Sequence, residues 1–315
     1  MSDPIAITTG CRLHFGIFSH RPACGREFGG VGLMLRAPRG RLSFRPAERD
    51  MVFGPEDAAS RFREFVARYR RSVDSDEPPP RCAIEIHESI PPHVGLGSGT
   101  QSALAVADGL ARLAGEGAVD PVVLAERVGR GVRSAIGIHG YRRGGLLFDD
   151  GKTLGEPVGS LARRLEFPAE WRFLLVIPRE ETGLSGPIER EAFARLPPMP
   201  AETTARLREL AFEQLEPAVT AADFDATSDA LHEFNRIVGE YFAPAQGGTY
   251  AHPRMRELVA ELRREGIAGV GQSSWGPTIF ALLRDAAEVQ NLRDRLAAAR
   301  QWGDCIIQIS AASDS

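Results

Sequence analysis

Residues 91–104 read "PPHVGLGSGTQSAL": two prolines, then three glycines alternating with leucine and serine, then a chain that turns helix-like. Glycine costs conformational entropy, so such a run ahead of a helix implies that something approaches the backbone closely there. The first N–H groups of a helix have no partner within it, and the aligned peptide dipoles make that end positive. Gly95, Gly97 and Gly99, with Leu96 between them, can therefore wrap a phosphate, while Ser98, Thr100 and Ser102 add hydroxyl donors. A tight strand-to-helix turn without a ligand uses the same residues. The loop is not a Walker A sequence, which carries Gly-Lys-Ser/Thr. Nor is it the dinucleotide fingerprint, whose third glycine falls on Thr100.

Working outward, "RCAIEIHESI" (81–90) alternates, with Cys82, Ile84 and Ile86 on one face, and predicts a strand. Ala103, Val106, Leu110 and Leu113 form a 3-4-3 apolar seam, so the order is strand, glycine loop, helix. Ala59, Phe62, Val66 and Tyr69 predict another helix over 57–71, after a short strand at "RLSFRP" (41–46). "DSDEPPP" (74–80) predicts a loop, and Asp120 with Pro121 a helix start. "GGLLFDDG" (144–151) reads as a strand ending in a turn. The pattern breaks at 155–168, which divides the chain into 1–162 and 163–315. The second part begins with a buried strand, "WRFLLVIP" (171–178), and continues with helices from Pro187 to Leu262. Two strands then flank the polar turn of "GIAGVGQSSWGPTIFALL" (266–283), followed by a helix at 286–300 and a strand at 304–310. That order is an α+β pattern with an antiparallel sheet.

Composition sets bounds on partners. With 315 residues, 43% apolar and 25% charged, the chain is an ordinary globular one, and its net charge of −4 favours neither nucleic acid nor an anionic membrane. Cys11, Cys24, Cys82 and Cys305 contain no C-x-x-C pair, and no uncharged run reaches membrane-spanning length. A basic leader followed by an apolar run is missing from "MSDPIAITTGCRLHF", so a cytoplasmic protein is expected.

The stretch resembles the Pro-x-x-x-Gly-Leu-Gly-Ser-Ser-x-Ala motif of the GHMP kinase superfamily. Pro91, Gly95, Leu96, Gly97 and Ser98 match; Gly99 and Gln101 depart from it. "CRLHFGIF" (11–18) and "GVGQSSWGPTIFALL" (269–283) stand where the first and third motifs of that superfamily belong. The resemblance implies an N-terminal domain like domain 2 of ribosomal protein S5, a ferredoxin-like C-terminal domain, and a ligand cleft between them. "GRGVRSAIG" (129–137), "GGLLFDDG", "GLSGPIEREAF" (183–193) and "GQSSWGPTIFAL" (271–282) further resemble the β-ribofuranosylaminobenzene 5′-phosphate synthase branch. That branch condenses phosphoribosyl pyrophosphate with 4-aminobenzoate or 4-hydroxybenzoate and releases carbon dioxide and pyrophosphate, in tetrahydromethanopterin biosynthesis. An ATP-dependent kinase of the parent superfamily and a non-catalytic binder of a phosphorylated metabolite remain as alternatives. "SAIGIHGYRRGG" (134–145) lacks the acidic residue a kinase of this type carries there, so ATP is expected to be neither substrate nor tight ligand.

The implied reaction assigns residues to tasks. The loop from Gly95 to Thr100 is expected to hold phosphate. Arg12, Arg133, Arg142 and Arg143 are candidates for anions, because a guanidinium pairs with carboxylate or phosphate in a fork; a solvated surface arginine is the plainer reading of each. His14, with Arg142 and Arg143, is the catalytic candidate; "GYRRGG" (140–145) reads as an extended, glycine-rich turn in which adjacent side chains point to opposite faces, so one of the two arginines is expected to orient the aryl carboxylate. His87, His93 and His139 lie nearby in sequence as plain alternatives. Gln272, Ser273, Ser274 and Trp275 are expected to line the substrate site, Trp275 stacking on the aryl ring. Mg²⁺ is expected on the substrate diphosphate, with Asp149, Asp150 or Glu85 as a carboxylate partner; no Cys/His cluster suggests zinc. The expected partners are small molecules, and a homodimer is the expected assembly.

Overall fold

A computed structural model describes residues 3–73, 79–180, 183 and 186–313. Residues 74–78 of the expected loop, and Leu184 and Ser185 of "GLSGPIEREAF", lie outside the described residues.

The first sheet is built from β1 (Ile5–Gly16), β2 (Gly30–Pro46), β3 (Met51–Phe53), β4 (Cys82–Glu88), β5 (Leu146–Asp149) and β6 (Leu161–Leu165), with α1 (Glu56–Ser72), α2 (Ser98–Leu113), α3 (Pro121–Arg127) and α4 (Ile136–Arg143) in chain order between them. Its strand order is β3-β4-β2-β5-β6, with β1 also on β2; β3 runs parallel to β4 and the other pairs are antiparallel. The second sheet contains β7 (Arg172–Pro178), β8 (Val270–Gln272), β9 (Ile279–Leu283) and β10 (Cys305–Ser310), in the antiparallel order β10-β7-β9-β8. Around it lie α5 (Gly186–Arg195), α6 (Ala201–Glu209), a π-helical turn at Leu210–Leu215, α7 (Glu216–Thr220), α8 (Phe224–Gln246), α9 (Pro253–Arg264) and α10 (Ala286–Ala298). The element order expected for the second half is the one found. The first sheet runs to Leu165, so β6 spans the expected division at 162.

Two sequence readings are corrected. The short strand at 41–46 is the end of a 17-residue strand starting at Gly30. Its first half, "GVGLMLRAPRG", is rich in residues that weaken strands. It stays in the sheet because β1 comes so close: a Cβ on Gly30 would stand 2.0 Å from the Gly16 carbonyl oxygen, and one on Gly32 2.5 Å from that of Leu13. "GYRRGG" is not an extended turn: Gly140–Arg143 form the last turn of α4 and Gly144 caps it, while Gly140 lets the helix press against Met34 of β2.

The halves share an apolar core. Phe15 and Phe18 of the first half are buried with Phe173, Phe234 and Phe280 of the second, Phe15 meeting Phe280 edge-on at 5.2 Å between ring centres. After β10 the chain crosses back: Arg36 N–H donates to the Ala311 carbonyl (3.0 Å) and Ser313 N–H to that of Met34 (2.9 Å).

Candidate active site

The glycine loop is a junction between the halves before it is anything else. Gly95 has φ of +85°, and a Cβ there would stand 2.2 Å from the Ser273 carbonyl oxygen. Its own carbonyl accepts from Ser273 Oγ (2.8 Å) and Arg12 Nη1 (3.0 Å). Val94 O accepts from Thr278 Oγ1 (2.6 Å), and Ser274 N–H donates to the His14 carbonyl (2.8 Å). The three resembling motifs therefore meet at one place. Gly97, with φ of +72°, is the N-cap of α2, and no side chain caps that helix start. Of the loop residues expected to bind phosphate, Thr100 lines the cleft; Leu96 and Ser98 are buried, and Ser273 is fully buried in the junction.

The cleft has a volume of about 510 Å³. Five arginines line it: Arg12, Arg68, Arg130, Arg133 and Arg190. No aspartate or glutamate among the described residues does so. Its other wall is aromatic, made by Phe28, Phe193, Phe242 and Trp275. Trp275 packs on Phe242 (4.5 Å between ring centres) and Phe193 (5.0 Å), and the Arg133 guanidinium lies over the Phe193 ring at 4.7 Å. One end thus suits polyanions, and the other an aromatic ring beside a cation.

His14 lines the cleft from β1, its Nε2 3.1 Å from Ser134 Oγ. Burial, with Arg12 beside it, holds its pKa well below the usual histidine value, so the ring is neutral at pH 7. Gln272 also lines the cleft; its Oε1 accepts from Ala251 N–H (2.7 Å) and its Nε2 donates to the Ser274 carbonyl (3.1 Å). Ser274 is held with φ of +57° and faces the cavity.

Four expected site residues lie elsewhere. Arg142 donates to the buried carboxylate of Asp108 at 2.7 Å, and Arg143 sits at the end of α4 with its carbonyl accepting from Arg164; neither lines the cleft. Arg142 thus reaches across to α2, and Arg143 is exposed. Asp149 is fully buried, and its oxygens accept from Ala135 N–H (2.6 Å) and Gly151 N–H (2.9 Å). Burial raises its pKa against those two bonds. It pins the segment that carries Arg133 and Ser134 to β5. Asp150 pairs with Arg208 (2.9 Å) and Arg26 (3.6 Å). Neither aspartate fits a resident Mg²⁺, and no group of three metal-ligating side chains occurs among the described residues. Glu85 is exposed on the outer sheet, 3.9 Å from His87. His139 donates to the Gly159 carbonyl at 2.7 Å, and His93 is an exposed loop residue.

Arg68, Arg130 and Arg190 were not singled out from sequence. Gly129 and Gly131 on either side of Arg130 are the local signal: a glycine-flanked arginine three residues beyond the end of α3 at Arg127.

Comparison with known proteins gives the class first. Residues 58–141 match the family model of the GHMP kinase N-terminal domain, and residues 215–300 that of the GHMP kinase C-terminal region. The homoserine kinase of Cytophaga hutchinsonii superposes with a TM-score of 0.68 at 16% identity, covering 100% of this chain and 96% of its own. A mevalonate pyrophosphate decarboxylase from Streptococcus pyogenes gives 0.66 at 12%, covering 99% and 98%. These similarities define a protein of GHMP-kinase fold. Two curated relatives are more specific, and both are named β-ribofuranosylphenol 5′-phosphate synthase. That of Archaeoglobus fulgidus is 30% identical over 93% of each chain, and that of Methanothermobacter thermautotrophicus 27% identical over 88% of each. The chain belongs to their branch of the GHMP kinase superfamily.

Proposed function

We propose that the protein is a β-ribofuranosylphenol 5′-phosphate synthase-type enzyme, joining phosphoribosyl pyrophosphate to a 4-substituted benzoate. The observation that carries this reading is the cleft lining: five arginines and an aromatic wall, with no carboxylate among the described lining residues.

The chemistry asks for such a site. The ring carbon bearing the carboxylate attacks the anomeric carbon, and a carbon–carbon bond forms as the carbon–oxygen bond to diphosphate breaks. Carbon dioxide then leaves, and its bonding electrons restore the aromatic ring. No proton leaves the attacking ring carbon, so no general base is needed there. A kinase acting on an alcohol has a hydroxyl proton to remove, which an acidic side chain commonly accepts. The arginines neutralise the donor phosphates and draw off the leaving diphosphate, whose Mg²⁺ enters with the substrate. Arg133, beside the ring of Phe193, orients the acceptor carboxylate in an apolar wall that favours its loss as neutral carbon dioxide. Neutral His14 contributes a fixed polar edge between the two ends.

The test offers phosphoribosyl pyrophosphate and Mg²⁺ with carboxyl-labelled 4-hydroxybenzoate or 4-aminobenzoate. Release of labelled carbon dioxide, dependent on donor and matched by pyrophosphate, is the expected result. Micromolar ATP binding with acceptor-dependent ADP release would put a kinase in its place.

A further inference from the structure

Arg130 forms no ion pair among the described residues; Glu64, the carboxylate that acts on it, stands beyond ion-pair distance. Arg130 lies between Gly129 and Gly131, with its guanidinium 5.2 Å from the centre of the Phe65 ring on α1. It also lies against the start of α2: a Cβ on Gly99 would be 3.6 Å from both Nη1 and Nη2. Its Nε is buried without a hydrogen-bond partner. Arg68, on the same wall, has Glu64 at 3.8 Å across exposed surface. Burial, then the like charges of Arg68 and Arg61, push the Arg130 pKa down to about 10 against a smaller opposing pull from Glu64, so it remains protonated at neutral pH. Converging guanidinium groups beside an uncapped helix start, with Thr100 in the same cavity wall, form a socket that an anion completes.

We infer that Arg130 and Arg68 hold the 5-phosphate of the phosphoribosyl donor; this rests on the phosphoribosyl-transfer reading above. The argument is one of reach. The anomeric carbon has to stand beside the aromatic wall, where the acceptor ring and Arg133 are. The diphosphate is bonded to that carbon, so its cations lie near the reaction. The 5-phosphate is at the opposite end of the ribose. Arg68 belongs to α1 and Arg130 to the loop packed on α1 and α2, whereas Arg133 touches Phe193 of the other half. The socket on α1 and α2 is therefore the one for the remote group.

The experiment uses the full chain and two probes, ribose 5-phosphate and Mg-pyrophosphate, titrated by calorimetry into the wild type, Arg130→Gln and Arg68→Gln. Ribose 5-phosphate affinity is expected to fall about 10- to 100-fold in Arg130→Gln, and pyrophosphate affinity by less than about threefold. Arg130→Lys, which keeps the charge without the fork, should recover part of the loss. In turnover, donor KM should rise while kcat at saturating donor stays within about threefold. A larger loss for pyrophosphate than for ribose 5-phosphate, or equal losses, would overturn the assignment. Should Arg130→Gln fail to fold, Arg68→Gln decides by the same selectivity. If the wild type binds neither probe, the phosphoribosyl reading itself fails, an outcome distinct from a swap of the two ends.

Discussion

Arg142 and Arg130 stand in neighbouring segments that both contain glycines, and have opposite surroundings. On α4, Arg142 meets Asp108, a carboxylate carried into the apolar interior by α2 and shared with Arg112 (3.1 Å) and Tyr141 (3.4 Å). At the cleft, Arg130 meets an aromatic ring and other arginines, with Glu64 too far away to form an ion pair. The first arrangement is self-contained, because each buried charge has its counterpart in the chain. The second is incomplete without a guest. Whether the fold already provides a carboxylate separates a structural arginine from one held for a ligand, and nothing in the arginine itself carries that information.

The largest effect should come from the junction that keeps the two surroundings apart. Gly95→Ala sets a Cβ on the Ser273 carbonyl at a backbone angle that suits glycine, and should cost more than about 4 kcal/mol or prevent folding; urea unfolding measures it. On the cleft side, Arg133→Ala should lower kcat/KM by about 2–4 kcal/mol of transition-state stabilisation with the fold intact, and Arg133→Lys should restore part of it. Away from the cleft the signature reverses. Arg142→Ala should lower stability by about 2 kcal/mol, less than the full cost of breaking a buried pair because Arg112 remains, and leave kcat/KM within about threefold. A large activity loss without a stability loss in Arg142→Ala would erase the distinction.

The smallest effect is a pH dependence. His14, His20 and His232 all have folded pKa values lowered mainly by burial from the ordinary 6.5. Below pH 6.5 the unfolded chain therefore binds more protons than the folded one. Stability from these groups is fully present above that pH and declines as the pH falls, by at most about 1.4 kcal/mol per pH unit for each. Urea midpoints between pH 5 and 8 should show this, with a shallower slope in His14→Asn. No step in kcat/KM attributable to His14 should appear between pH 6.5 and 8.

The strand–glycine loop–helix order, the apolar seams and the second sheet were legible because each rests on a local period or on a residue with one conformational use. The meeting of "CRLHFGIF", "GLGSG" and "GQSSWGP" was legible from resemblance, though Gly95 answers to a carbonyl of the other half as much as to any ligand. The pairing of arginines was not legible. It depends on Asp108, a lone carboxylate in the apolar run "ALAVADGLARL", which brings a charge to α4 from a point 34 residues away along the chain. That isolated acid was the available signal. The glycines of "GYRRGG" pointed instead to a turn, because close packing of a helix on β2 and a bend in the chain call for the same residue.

The return of the chain after β10 has a mechanical consequence. Two covalent crossings, one after β6 and one at 310–313, together with a common aromatic interior, fasten the halves along separate lines. A body strapped twice does not swing like a jaw. The cleft therefore behaves as a mould, and what a substrate must overcome on entering is the hydration of five guanidinium groups. Solution scattering should record the same radius of gyration with and without bound donor, while binding should weaken steeply as salt is raised.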